Sequence, residues 1–222
     1  MCGIFGSFNT SKFEILDQAN KQRGNFASGL LYHNGEDYDI QKIEGVFNWN
    51  KIKLPVEDGF IYLGHNQAPT SSARIWKEHN SHPFINNNWV VAHNGVLTNF
   101  EQLKKEYLPD HENVVDSSII PALLKHFENT FEKANTIENE VLLISYVLEL
   151  LKGTFGLWIV NTNTLDMFIA RQGSTLFFDK NSFSSTKGVD YNEIKEGVIY
   201  RFNKKGCKPV GDFKSKSPFL EL

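Results

Sequence analysis

The residue best placed to do chemistry is Cys2, which stands directly behind the initiator methionine in the opening "MCGIFG". Initiator methionine is commonly trimmed when the next residue is small, and trimming would leave one residue holding both a thiol and a free α-amine. An α-amine titrates near about 8 and a thiol near about 8.5, so a neutral amine can take the thiol proton directly or through one water. Cys2 is then a nucleophile with its own base, and no acid-base histidine is required. The competing reading is a small core thiol that opens a strand.

Bulk properties narrow the classes of function. A chain of 222 residues with 41% hydrophobic and 22% charged residues suits one soluble globular domain with a sizeable core. Net charge is −3, and the 23 basic residues form no run beyond pairs such as Lys104-Lys105 and Lys204-Lys205. A nucleic-acid binder would carry a basic stripe, so that class loses weight. No apolar stretch reaches membrane-spanning length and no signal peptide opens the chain, so a cytoplasmic protein with no membrane partner is expected. The two cysteines, Cys2 and Cys207, are expected to stay reduced. His79 and His82 lack a partnering ligand pair, so neither a metal nor a cofactor is implied.

The elements that would position Cys2 follow from pattern. Cys2 to Phe8 reads as a strand. Ser11 and Glu14 form a capping box that starts a helix running to about Arg23. Strands are expected at Gly29–Tyr32 and Tyr38–Ile43, joined by an Asn34-Gly35 hairpin turn. Two apolar runs, Phe60–Leu63 and Trp89–Ala92, end in polar clusters rich in Gly, His and Asn, the usual place for functional loops. Helices are expected from Thr98 to Tyr107, after Asp116, and from Thr136 to Leu151. Strands return in "TFGLWIV", "DMFIA", "TLFF" and "VIYRF". Strands, then helices, then strands predict an α+β fold of two sheets with helices on their outer faces.

Several motifs recur in a telling order. "MCGIFG", "RGNFASG" from Arg23, "GHNQAPT" from Gly64 to Thr70, "HPF" from His82, "HNGVLTN" from His93, "VVDSS" around Asp116, "GTFGLWIV" and "RQGSTLFF" succeed one another along the chain. In this order and spacing the chain resembles the class II glutamine amidotransferase domain, the N-terminal-nucleophile glutaminase at the front of glucosamine-6-phosphate synthase and amidophosphoribosyltransferase. One such motif alone is a weak signal, whereas a series anchored at residue 2 is a strong one. The resemblance implies a single domain over residues 1–222, folded as a four-layer αββα N-terminal-nucleophile hydrolase sandwich with two mainly antiparallel sheets.

It also implies a site. Cys2 would attack the glutamine side-chain amide, giving a thioester and ammonia before water releases glutamate. Asn94, through its side-chain amide, and Gly95, through its backbone N–H, would hold the oxyanion from a turn at "HNG"; losing one such donor typically costs about 2.7 to 4 kcal/mol of barrier. Asp116 would bind the α-ammonium, and it fits equally well as a helix N-cap. Arg23 and Thr70 fall in the substrate-binding set, as does His82, although His82 and His93 are expected to hold their loop by hydrogen bonds.

Gln67 stands where the resemblance calls for an arginine on the α-carboxylate, which exchanges a charge-assisted contact for a neutral one and would weaken glutamine binding by about tenfold or more. Arg74 or Arg23 would have to compensate. The expected activity is a stand-alone glutaminase passing ammonia to a separate synthase. Two readings stay open beside it: hydrolysis of another amide such as a γ-glutamyl compound, and a non-catalytic regulatory homologue.

Overall fold

The computed structural model describes residues 1–34, 36–55, 60–69, 75–134 and 136–214. The chain runs β1 (Gly3–Ser7), α1 (Thr10–Lys21), β2 (Ala27–His33), β3 (Tyr38–Glu44), β4 (Ile61–Gln67), β5 (Phe84–Asn86), β6 (Trp89–Leu97) and α2 (Phe100–Tyr107). It continues with α3 (Ile119–Phe127), α4 (Ile137–Leu150), β7 (Gly153–Asn161), β8 (Asp166–Gln172), β9 (Phe177–Phe178), β10 (Ser182–Ser184), β11 (Asn192–Glu193), β12 (Val198–Asn203) and β13 (Gly206–Asp212).

The strands form two antiparallel sheets. One has the order β11-β9-β10-β1-β4-β2-β3 and the other β13-β12-β8-β7-β6-β5. Side chains alternate across each strand, and here both faces are covered, which is why the central strands read as unbroken apolar runs. Ile4 faces the interior between the sheets with Leu63, Ala92 and Trp158. Its neighbour Phe5 faces the opposite way, onto Phe13 and Leu16 of α1. On the far side Trp89 and Val91 of β6 meet Ile119 and Leu123 of α3 and Ile144 of α4. Helix, sheet, sheet and helices stack as four layers, the α+β αββα sandwich.

Local chemistry departs from the sequence reading in informative places. Asn9, rather than Ser11, caps α1, its Oδ1 accepting the Lys12 N–H at 2.8 Å. The buried face of α1 carries the polar Asp17 and Asn20 beside Phe13 and Leu16. Asp17 is satisfied by Lys21 at 3.1 Å, Trp49 Nε1 at 2.7 Å and Asn66 Nδ2 at 3.1 Å, so a buried charge ties the helix to β4. The hairpin after β2 closes as an Asx turn, Asn34 Oδ1 accepting the N–H groups of Glu36 and Asp37; Gly35 lies outside the described residues. α3 begins at Ile119 with Ser118 as its cap, so Asp116 does not cap it. The polar clusters after the two apolar runs are not loops: β4 extends through His65, Asn66 and Gln67, and β6 through His93, Asn94 and Gly95.

Candidate active site

Cys2 sits half-buried at the start of β1, with Met1 before it exposed. Its Sγ lies 3.4 Å from the Ala68 N, which donates to it from the end of β4. That approach depends on the corner after α1. A Cβ on Gly24 would stand 2.4 Å from the Gln67 carbonyl carbon and 2.5 Å from Ala68 N, so only glycine lets this corner lie against the chain there. The next residue back, Arg23, donates from Nε to Cys2 O at 2.9 Å and fixes the backbone of the nucleophile.

Burial pushes the Cys2 thiol above its ordinary range, and Asp116 pushes the same way; the Ala68 N–H, the chain's amino terminus and Arg23 oppose it. A raised thiol holds its proton at neutral pH and needs a base. Burial also lowers the Arg23 guanidinium, with the Cys2 thiolate raising it.

Asn94 and Gly95 reach the same end of the sandwich from the other sheet. Within β6 they pair with Gly156 and Phe155 of β7, so the expected turn is in fact strand. Residue 95 must be glycine for a steric reason: a Cβ there would fall 1.9 Å from Thr154 O, which occupies the space a side chain would need. Asn94 Nδ2 donates to Ser185 Oγ at 3.3 Å, and the same oxygen accepts the Ile4 N–H at 3.1 Å. Ser185 thus bridges the two sheets, joining Asn94 to the strand that bears Cys2. Ser174 Oγ donates to Asn94 O at 2.9 Å and steadies the backbone. An amide has two N–H groups, so one of Asn94's remains for a ligand.

Asp116 follows the same end of β6. Its Oδ2 accepts the Leu97 N–H at 2.8 Å and its Oδ1 the Ser117 N–H at 2.8 Å.

Gln67 points elsewhere. It is 1% exposed, its Nε2 donating to Asn80 O at 3.3 Å and its Oε1 accepting the His82 N–H at 3.3 Å. The amide expected at a substrate carboxylate is spent on the segment before β5. His82 is likewise buried: its ring stacks on His65 at 3.8 Å, and its Nδ1 faces Gln67 Oε1 at 3.4 Å. Thr70 and Arg74 lie outside the described residues.

Sequence reasoning missed Ser185, Ala68 and Ser117, because nothing in the local pattern distinguishes a serine or alanine beside a strand end. Arg171, which opens the "RQGSTLFF" motif, braces the 193–196 segment through Glu193 at 2.9 Å and Glu196 at 3.2 Å, and it donates to Ser174 O at 3.0 Å. Cys207 is a free thiol at the other end of the chain, as Cys2 is at this one. A cleft of about 710 Å³ opens elsewhere, lined by Lys42, Phe84, Tyr107 and the 108–113 segment, and does not include Cys2.

Comparison with known proteins bears on this arrangement. No family model matches the chain. The glutamine--fructose-6-phosphate aminotransferase [isomerizing] of Staphylococcus epidermidis is 27% identical over 192 residues, covering 79% of this chain and 30% of that protein. That of Streptococcus pyogenes is 26% identical over 186 residues, with the same coverage. Among solved structures, glutamine phosphoribosylpyrophosphate amidotransferase from B. subtilis superposes with a TM-score of 0.73 at 21% identity, over 97% of this chain and 50% of that one. In sequence the chain is similar to the glutaminase portion of these class II glutamine amidotransferases, and it shares their fold. The structure of a predicted glutamine amidotransferase from Pseudomonas aeruginosa shares the fold at a TM-score of 0.55 and 14% identity, over 93% of this chain and 94% of that one. The chain spans about a third of the length of the curated relatives it matches. No helix among the described residues is long and apolar enough to cross a membrane, and they hold no cluster of His, Cys, Asp and Glu suited to a metal.

Proposed function

We propose that residues 1–222 form a single glutaminase domain that hydrolyses the side-chain amide of glutamine through a Cys2 thioester and supplies the ammonia to a separate synthase. The observation that carries this reading is the gathering of a half-buried thiol, the Ala68 N–H, Arg23 and Asp116 at one sandwich end, with Asn94 joined to the nucleophile's strand through Ser185.

Loss of Met1 frees the Cys2 α-amine, which takes the thiol proton. Sγ attacks the amide carbon, and the oxyanion that forms is held by the free Asn94 Nδ2–H and the Gly95 N–H. The α-ammonium returns the proton to the leaving nitrogen, the C–N bond breaks and ammonia departs. Water then adds to the thioester, and cleavage of the S–C bond gives glutamate. Asp116 binds the substrate α-ammonium. Arg23 takes the role that Gln67 cannot fill, since its terminal guanidinium nitrogens carry no hydrogen bond among the described residues while Nε holds Cys2. Two unpaired cysteines suit a reducing cytoplasm.

Glutamate release from glutamine by the Met1-free protein, absent in Cys2→Ala, is the expected result; equal rates in the two would refute the reading. Arg23→Gln is expected to raise KM for glutamine more than for 4-aminobutanamide, which lacks the carboxylate. Equal increases would remove Arg23 from that role and favour a different amide as substrate.

A further inference from the structure

His93 is 1% exposed and takes no part in the steps above, yet both its ring nitrogens are committed. Nε2 faces Thr154 O at 3.2 Å, and because a carbonyl only accepts, Nε2 carries the proton. Nδ1 is therefore an acceptor, and the group facing it is the Ser117 hydroxyl at 2.8 Å. The same hydroxyl oxygen lies 3.2 Å from Asp116 Oδ1. Ser117 has one hydroxyl proton and two acceptors that compete for it. At the other end of this line, Thr154 O is the atom that fills the space beside Gly95. A continuous series of contacts thus runs from Asp116 through Ser117, His93 and Thr154 to Gly95.

We propose that the Ser117 hydroxyl is a positioning group that couples a cation bound at Asp116 to the placement of the Gly95 N–H, so that a substrate α-ammonium promotes the chemical step as well as binding. The proposal rests on the roles given above to Asp116 and Gly95. An unoccupied carboxylate draws the hydroxyl proton toward itself and leaves His93 Nδ1 buried without a donor. An ammonium at Asp116 neutralises the carboxylate and turns the proton back to His93. Donation to Nδ1 makes the Nε2–H a stronger donor, because hydrogen bonds in series polarise one another, and the grip on Thr154 O tightens.

His93 must stay neutral for this to operate. Burial lowers its pKa, while Asp116 and the Thr154 carbonyl raise it. The other titratable groups facing it are His65 of β4, whose Nε2 lies 3.1 Å from His93 O, and His82 before β5; both are held neutral by burial, with Lys42 acting on His82.

The test compares wild type, Ser117→Ala and Ser117→Thr on glutamine and on 4-carbamoylbutanoate, the same amide without the α-amino group, with nitrogen NMR of histidine-labelled protein alongside. Ser117→Ala is expected to lower kcat on glutamine roughly tenfold, as for a lost hydrogen bond to a charged group. On 4-carbamoylbutanoate the loss stays below about twofold, since no ammonium reaches Asp116. Ser117→Thr, which keeps the hydroxyl, restores most of the rate. In the spectra His93 of the wild type remains the neutral Nε2–H form, whereas in Ser117→Ala it gains a proton at higher pH, drawn by Asp116. Equal losses on both substrates, or an unchanged His93 titration in Ser117→Ala, overturn the proposal. A wild type inert toward glutamine defeats the reaction reading instead, and the His93 titration then decides the Ser117 contact by itself.

Discussion

Acidification should destabilise this protein through its buried histidines, and the size of the effect follows from the structure. Burial brings His33 down to about 4, His65 down to about 3 and His82 well below its ordinary value. A histidine lowered by folding binds protons first in the unfolded chain, so stability is lost as pH falls through about 6.5 toward the folded value. Between pH 7.5 and 5 each of the three costs about 2 kcal/mol, about 6 kcal/mol together. Glu140 runs the other way. It is fully buried, with Oε1 accepting from Asn161 at 2.6 Å and Thr164 at 2.7 Å, and burial pushes it up to about 7. Its folded state takes the proton first, which adds about 2.5 kcal/mol on the same descent. The net loss is about 3.5 kcal/mol, a large share of a typical total of about 5 to 15. Urea unfolding followed by tryptophan fluorescence at the two pH values measures it. In Glu140→Gln the offset disappears and the loss grows to about 6 kcal/mol, whereas His33→Phe, which removes a ring with no hydrogen-bond partner among the described residues, reduces it by about 2. A wild-type loss under about 1 kcal/mol, unchanged in Glu140→Gln, would show that these buried groups do not set the acid stability.

Other expectations concern the site and its supports. Gly95→Ala places a methyl 1.9 Å from Thr154 O; the strand must shift by about an ångström, and glutaminase kcat is expected to fall about a hundredfold with secondary structure by circular dichroism retained. Gln67→Ala removes the contacts to Asn80 and His82 and is expected to cost about 1 to 3 kcal/mol in urea melts, while Gln67→Arg, which buries an unpaired cation, costs more. Asp17→Ala strands Lys21 and frees Trp49 and Asn66, with an expected loss of about 3 to 5 kcal/mol in the same assay.

The sequence displayed the elements that periodicity and length can mark. Trp89 to Ala92, the 153–160 strand and α4 from its Thr136 cap were all legible. β11, of two residues, and β13, mostly exposed with Pro209 inside it, lack any pattern to detect. The two polar clusters misled for one reason: buried His, Asn and Gln look like loop composition until their partners are known. His65 bonds to His93 O across the sheets and Asn66 to Asp17, contacts 28 and 49 residues apart in sequence. Cys2, Asn94, Gly95 and Asp116 were singled out because ordered motifs name them. Ser185 and Ser117 make contacts that only the packed sandwich creates.

The second residue, once unmasked, is proposed above as a nucleophile aimed at a glutamine carboxamide. Incubating the processed protein with 6-diazo-5-oxo-norleucine and measuring intact and peptide masses tests it directly. The expected result is loss of Met1 and a single adduct on Cys2, formed at a rate that glutamine suppresses and absent when Met1 is retained. Processed protein that stays unlabelled at Cys2, or labels equally at Cys207, would contradict it.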